Sequence, residues 1–192
     1  MKMRINKYVL LRKGIHVGAA AIPLFYYVFP RQRLLCLVGS LTTVAVIVEL
    51  LRFKNPRFKR NFYRVVGSLL WEKEEHTITG ATAFLISATI SILLFSKPVA
   101  VATLLFLVIG DTVAYLVRDT IGGLRDMGKM SLEAVLASFF VSIAIALVVP
   151  DLPFRVGLLG AAVASTVETL PWEIDDNLSI PLIAGMLMQF SM

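Results

Sequence analysis

Hydrophobic and polar positions alternate along this chain in long blocks. Seven stretches are apolar enough to be read as bilayer-crossing helices, roughly 14–30, 33–51, 79–96, 98–118, 133–149, 154–170 and 178–191. About 20 apolar residues span hydrocarbon as helix, fewer where flanking side chains snorkel. The third and last stretches are the shortest, and re-entrant forms of them set a range of six to eight spans. Between the second and third stretches the rhythm changes. In RFKNPRFKRNFYRVVGSLLWEKEEHTI, residues 52–78, basic residues interleave with Phe53, Phe58, Phe62, Tyr63, Val66, Leu69, Leu70 and Trp71, much of it at helical spacing after Pro56. That pattern predicts a helix lying in the membrane interface, aromatic face in the lipid and basic face on anionic headgroups. The expected fold is all-α: one polytopic membrane helix bundle over residues 1–192, with about seven transmembrane helices plus an amphipathic interfacial helix.

Composition supports this and adds an orientation. The 192 residues are 57% hydrophobic and 17% charged, with a mean hydropathy of +0.79, which excludes an ordinary soluble domain. With the N-terminus cytoplasmic, fifteen of the 19 Lys and Arg fall on inner segments, leaving Arg31, Arg33, Lys97 and Arg155 outside. By the positive-inside rule the expected location is a multi-pass cell-membrane protein, N-terminus cytoplasmic and C-terminus outside. The basic start MKMRINKYVLLRK resembles a secretory leader, but no convincing small-residue cleavage site follows, so the first stretch is kept as a mature helix. The net charge of +6 and pI near 9.7 then reflect topology and lipid contact, and no nucleic-acid partner is expected. The single cysteine, Cys36, is expected to be a buried structural thiol. Small residues on the first and sixth spans suit packing within one bundle or between protomers, which leaves a homodimer open.

The chemistry concentrates where polar residues intrude. Asp111 lies well inside the fourth apolar stretch, where a carboxylate is costly unless it faces a partner, a cation or water. That stretch empties into a loop carrying Gly122, Gly123, Gly128 and Lys129, a backbone and charge suited to phosphate. Lys13 and His16, three apart, share one face of the first helix near its inner end. Glu49 and Arg52 repeat that spacing on the second helix, as an internal ion pair or with Glu49 facing the cavity of Asp111. Arg60 and Arg64, four apart, are placed to bracket a phosphate. His76, Thr77 and Thr79 precede the third span, where a helix start exposes free N–H groups and Gly80 admits a ligand to the backbone. Glu168 and then ETLPWEIDDN close the sixth span with an inner loop free of Lys and Arg. The oxygens of Asp176 and Asn177 there suit Mg²⁺.

In order, RKGIHV, VELLRF, EEHTITGATAF, GDTVAYLVRDTIG, GKMSLEA and ETLPWEIDDN resemble the CTP-dependent polyprenol kinase family, which includes dolichol, phytol and farnesol kinases and the CTP-dependent diacylglycerol kinase. A more distant likeness is to phosphatidate cytidylyltransferase. The resemblance implies transfer of the γ-phosphoryl group of CTP to a polyprenol or other lipid alcohol. On it Asp111 matches the acid of the GD motif, Lys129 and Glu133 a basic segment ending in glutamate, Asp176 and Asn177 a late acid–Asn pair, and His76 with Gly80 an H-x-x-x-G. Ala134, Met130 and Arg118 depart from the usual pattern.

The residues sort accordingly. Asp111, His76, Lys129 and Glu133 are the catalytic candidates. Lys13, Arg64, Gly80, Arg118, Gly122, Lys129 and Ser131 are candidates for the nucleotide, and Asp111, Asp176 and Asn177 for Mg²⁺. His16, Glu49 and Glu168 are candidates for the lipid alcohol. His76, His16 and Glu133 are alternative bases for the alcohol proton. A cytidylyltransferase is the enzymatic alternative, and a small ion-coupled transporter built on Asp111, Glu49 and Glu168 is the alternative of another class.

Overall fold

The structure, a computed structural model, describes residues 7–121, 126–127 and 130–192. It is all-α apart from a short hairpin, β1 (Asp126–Met127) with β2 (Met130–Ser131), paired antiparallel with Met127 opposite Met130. The helices are α1 (Lys7–Gly18), α2 (Ala21–Val28), α3 (Arg31–Lys54), α4 (Pro56–Val66), α5 (Gly80–Leu94), α6 (Lys97–Leu105), α7 (Asp111–Ile121), α8 (Leu132–Val148), α9 (Phe154–Thr169) and α10 (Asp176–Phe190). Each of the seven apolar stretches forms helix, and the basic-aromatic segment forms α4. Two helices are long and apolar enough to cross a bilayer by length and composition: α3 and the run Lys97–Thr120, 24 residues each. They differ in setting. The apolar window of Lys97–Thr120 is 67% buried and forms the central pillar, whereas that of α3 is 17% buried and runs along the periphery. Cys36 therefore points outward from α3, contrary to the buried thiol expected, because most of that helix has no protein neighbour to cover it.

Helix boundaries follow local chemistry. Proline lacks an N–H and collides with the carbonyl four residues back. Pro23 accordingly splits the first stretch: the Ala19 carbonyl accepts from the Ile22 N–H at 3.1 Å instead, and α1 ends before α2 begins. Asn55 stops α3 because Pro56 follows it, and its side chain caps α4 by accepting from Arg57 and Phe58 N–H groups at 2.9 and 3.2 Å. Thr79 caps α5 and Ser131 caps α8. Pro181 lies inside α10 and frees the Asn177 carbonyl, which accepts from the Ser87 hydroxyl of α5 at 2.6 Å. That bond fixes the start of α10 against α5.

Between α6 and α7 the chain makes one π-helical turn, Phe106–Gly110. Such wide turns recur at functional sites, and this one ends at Asp111. Gly110 has no Cβ because the Ser138 and Ser142 hydroxyls of α8 lie 3.0 and 3.4 Å from where it would be. Gly157 packs likewise on Ala146, Gly160 on Met188 and Phe106, and Gly185 on the Phe95 ring. The small residues of α9 are thus used inside the chain, while among the described residues nothing lies within 4 Å of a Cβ at Gly14 or Gly18. At the far end from Glu49 and Arg52, Arg31 donates to the Ile92 and Leu93 carbonyls ending α5. There Lys97 also lies over the Tyr26 and Tyr27 rings.

Candidate active site

Three polar nodes meet where α1, the C-terminal end of α3, the 67–79 turns and the starts of α5, α7 and α10 converge. The first is on Asp111. Lys13 Nζ donates to its Oδ2 at 2.6 Å, and His16 Nε2 lies 3.4 Å from the same oxygen. Lys13 also sits over the Tyr115 ring at 4.8 Å. The three side chains are 16–24% exposed, so the cluster is sheltered yet reachable.

The second node is Glu74, whose side chain is 1% exposed. Arg12 grips it with both terminal nitrogens at 2.7 and 3.0 Å, and the N–H groups of Trp71 and Gly80 each donate to it at 2.6 Å. Burial acts to raise this carboxyl, but the guanidinium and the two amides outweigh it and hold it below its ordinary value. The third node is Arg52, fully buried. It donates to Glu49, to the Tyr63 hydroxyl at 2.9 Å and to the Glu74 and Thr77 carbonyls, each at 2.5 Å. Glu49 in turn accepts from the Thr79 N–H at 2.8 Å and the Thr82 hydroxyl at 3.1 Å.

These nodes correct two expectations. The first amides of α5 are not free for a ligand, because Glu49 takes that of Thr79 and Glu74 that of Gly80. What Gly80 supplies is room: a Cβ there would lie 3.0 Å from Asn177 Nδ2, 3.2 Å from Glu74 Oε1 and 3.3 Å from an Arg12 nitrogen. The aromatic face of α4 is also partly turned inward, with Phe62 beneath the Arg52 guanidinium and Tyr63 bonded to it.

Lys13, His16, Glu49, Gly80, Asp111, Asp176 and Asn177 share the wall of one cavity of about 730 Å³. Apolar side chains make up much of the rest of that wall, among them Ile22, Ala45, Val48, Val66, Leu70 and Leu85, together with the charged Arg12, Lys73, Glu74 and Asp175. Glu168 lies behind that wall, 2% exposed, accepting from Ser138 at 2.9 Å. Five further candidates among the described residues do not line it. His76 is exposed beyond the Glu72–Glu75 turn, Arg64 is exposed on α4 and Arg118 on α7, while Ser131 and Glu133 stand at the head of α8 away from the cavity. Gly122 and Lys129 lie outside the described residues, as do Gly123 and Gly128. Asp175, which caps α10, accepts from the Asn177 N–H and side-chain amide and pairs with Lys73 at 3.3 Å. Burial pushes its carboxyl up, and these partners bring it below its ordinary range. Among the described residues no three His, Cys, Asp or Glu side chains are grouped to hold a metal by themselves.

Sequence reasoning passed over Arg12, Glu74 and Lys73. Arg12 was visible as the neighbour of Lys13. Glu74 was masked by its run, WEKEEH, in which four charges in a row suggest a solvated turn.

No family model matches the chain, and no solved structure matches it. Curated proteins do. Over 215 aligned positions the chain is 28% identical to CTP-dependent diacylglycerol kinase 1 of Eremothecium gossypii, covering 96% of this chain and 67% of that one. It is 26% identical to the protein of the same name from Schizosaccharomyces pombe, covering 97% and 95% of the two chains. These relatives are CTP-dependent lipid kinases. An uncharacterized protein of Rickettsia prowazekii is 26% identical over 89% of this chain and 88% of its own.

Proposed function

We propose that this protein transfers the γ-phosphoryl group of CTP to the hydroxyl of a membrane lipid alcohol. The observation that carries the reading is one cavity with two characters: a cluster of charged and polar groups centred on Lys13, His16 and Asp111, and apolar side chains such as Ile22, Ala45, Val48 and Leu85 over much of the rest of its wall. An amphiphile with a hydroxyl head fits that gradient, and relatives spanning nearly the whole chain are kinases of diacylglycerol. Diacylglycerol is the first acceptor to test, and isoprenoid alcohols, including polyprenols, the second.

Phosphoryl transfer depends on positioning and charge neutralisation more than on a covalent nucleophile. The acceptor oxygen attacks the γ-phosphorus, its proton passes to a base, and the bond to the β-phosphate oxygen breaks to release CDP. Of the three candidate bases, His16 is the one on the cavity wall, its Nε2 3.4 Å from the Asp111 carboxylate. Lys13 is a point charge for the phosphates. The donor set also fits Mg²⁺, which commonly rests on one or two carboxylates plus substrate phosphates. Asp111 and Asp176 would hold it with Asn177 beside them, and the ion when bound neutralises charge on the phosphate oxygens. The bias of Lys and Arg supports a site on the cytoplasmic side of a multi-pass bundle, where CTP is met.

Product identity is the test. With γ-labelled CTP and diacylglycerol, label is expected in a lipid monoester with unlabelled CDP in the aqueous phase. Label entering lipid from the α-position, with pyrophosphate released, would overturn kinase chemistry in favour of cytidylyl transfer.

A further inference from the structure

Helix α1 carries Arg12, Lys13 and His16, yet it is lightly held. Among the described residues its chief neighbours are the Gly67–Leu69 turn, α7 and the π turn, no atom lies within 4 Å of a Cβ at Gly14 or Gly18, and Leu11, Ile15 and Val17 are exposed. Apolar packing therefore does little to set where α1 lies. Among the described residues polar contacts do so: Lys13 and His16 on Asp111, and Arg12 on the segment Leu69–Glu74. The second is the more elaborate. Arg12 donates to the Leu69 carbonyl at 2.9 Å, forms the two-pronged pair with Glu74 and lies over the Trp71 ring at 5.1 Å. Glu74 is itself immobilised by the amides of Trp71 and Gly80, so it ties Arg12 to the first residue of α5. Arg52 holds the same segment from behind through the Glu74 carbonyl.

We propose that Glu74 is a positioning residue for phosphoryl transfer: by holding Arg12 it sets the place of α1 and hence of Lys13 and His16 against Asp111. This rests on the kinase reading given above. The fixed geometry makes the assignment specific. A planar guanidinium held by both ends of a buried carboxylate cannot rotate or slide along its helix without losing both bonds. The next residue on the helix is the lysine that meets Asp111. Glu74 touches no reacting atom, and the amide of Gly80 serves to hold it.

The test uses the full chain in detergent, with Cys36→Ser as background and spin labels at Leu11→Cys on α1 and Leu50→Cys on α3, both positions half exposed. In the otherwise unaltered protein the interspin distance is expected in one narrow distribution. In Glu74→Gln it should broaden or shift, and in Glu74→Asp, which keeps the charge, it should stay nearer the original. In the unlabelled protein kcat should fall in Glu74→Gln by up to about 100-fold, the cost of misplacing reacting groups by about 1 Å. KM for the lipid should change far less, and Glu74→Asp should recover part of the rate. An unchanged distance distribution in Glu74→Gln overturns the proposal, and so does a lower Tm with kcat per folded molecule intact. If the unaltered protein phosphorylates no lipid alcohol, the kinase reading fails, and the distance distribution alone decides whether Glu74 holds α1.

Discussion

Arg52 offers the sharpest test of how the end of the bundle that holds the cavity is built. Its guanidinium is fully buried and joins α3 to α4 and to the 74–79 segment through Glu49, the Tyr63 hydroxyl and the carbonyls of Glu74 and Thr77. Replacing it by methionine keeps most of the apolar volume under Phe62 and removes every donor. Glu49 is then a buried charge with only the Thr79 N–H and Thr82 hydroxyl left. Removing one partner of a buried ion pair costs about 3–5 kcal/mol. Each orphaned carbonyl adds up to about 1–3 kcal/mol where water cannot reach it. Taking about 3–5 kcal/mol as the expected loss, Tm should fall by about 6–20 °C, since 1 kcal/mol moves Tm by about 2–4 °C at this chain length. Thermal unfolding of purified protein in a mild detergent, followed by circular dichroism, reads this directly. Adding Glu49→Gln to Arg52→Met removes the stranded charge and should recover part of the loss. A fall under about 2 °C for Arg52→Met, or a double variant no more stable than the single one, would refute the reasoning.

Other expectations follow from the same geometry. Gly185→Ala places a methyl inside the Phe95 ring and should cost about 1–3 kcal/mol, while Gly14→Ala, with nothing within 4 Å, should be neutral or stabilise by up to about 1 kcal/mol; paired unfolding curves check both. Ser87→Ala strands the Asn177 carbonyl freed by Pro181 and should cost about 1–3 kcal/mol, with a weaker nucleotide interaction if the start of α10 shifts. Glu74 has a folded pKa below its ordinary 4.5, so its stabilisation is whole above pH 4.5 and is lost as pH falls through the lower folded value. The Tm gap between the unaltered protein and Glu74→Gln should therefore be full at neutral pH and shrink on acidification below about 4.5; a gap that widens there refutes the assignment. Lys13→Met should lower the rate of phosphoryl transfer more than Arg64→Met, because Lys13 bonds Asp111 while Arg64 is exposed off the cavity.

Helix positions were largely readable because apolar run length and proline punctuation are local signals. The stretches around α3, α5, α8, α9 and α10 match within a few residues. The break at Pro23 was readable in principle and was overridden by the continuous apolar pattern. The site was legible where spacing put two residues on one helix face. Lys13 with His16, and Glu49 with Arg52, each point in the directions that helical geometry requires. What spacing cannot reveal is which carboxylate a given cation meets across 60 or more residues, as Arg12 meets Glu74 and Lys13 meets Asp111. Nor does composition distinguish a solvated acid from a buried one. Glu74 and Glu75 are adjacent, yet the first sits in the bundle and the second pairs with Lys59 at its surface. Cys36 shows the converse limit: an apolar stretch marks a helix but does not say which of its faces meets protein.

The most direct measurement is phosphoryl transfer by purified protein, using γ-labelled CTP and Mg²⁺ with a panel of diacylglycerol, farnesol, geranylgeraniol, phytol and a long polyprenol, beside Asp111→Asn. Label is expected in the phosphate monoester of at least one lipid alcohol, falling by at least about 100-fold in Asp111→Asn as a preorganised charge at the site is lost. No labelled lipid from any acceptor, or a rate unchanged in Asp111→Asn, would contradict the kinase reading.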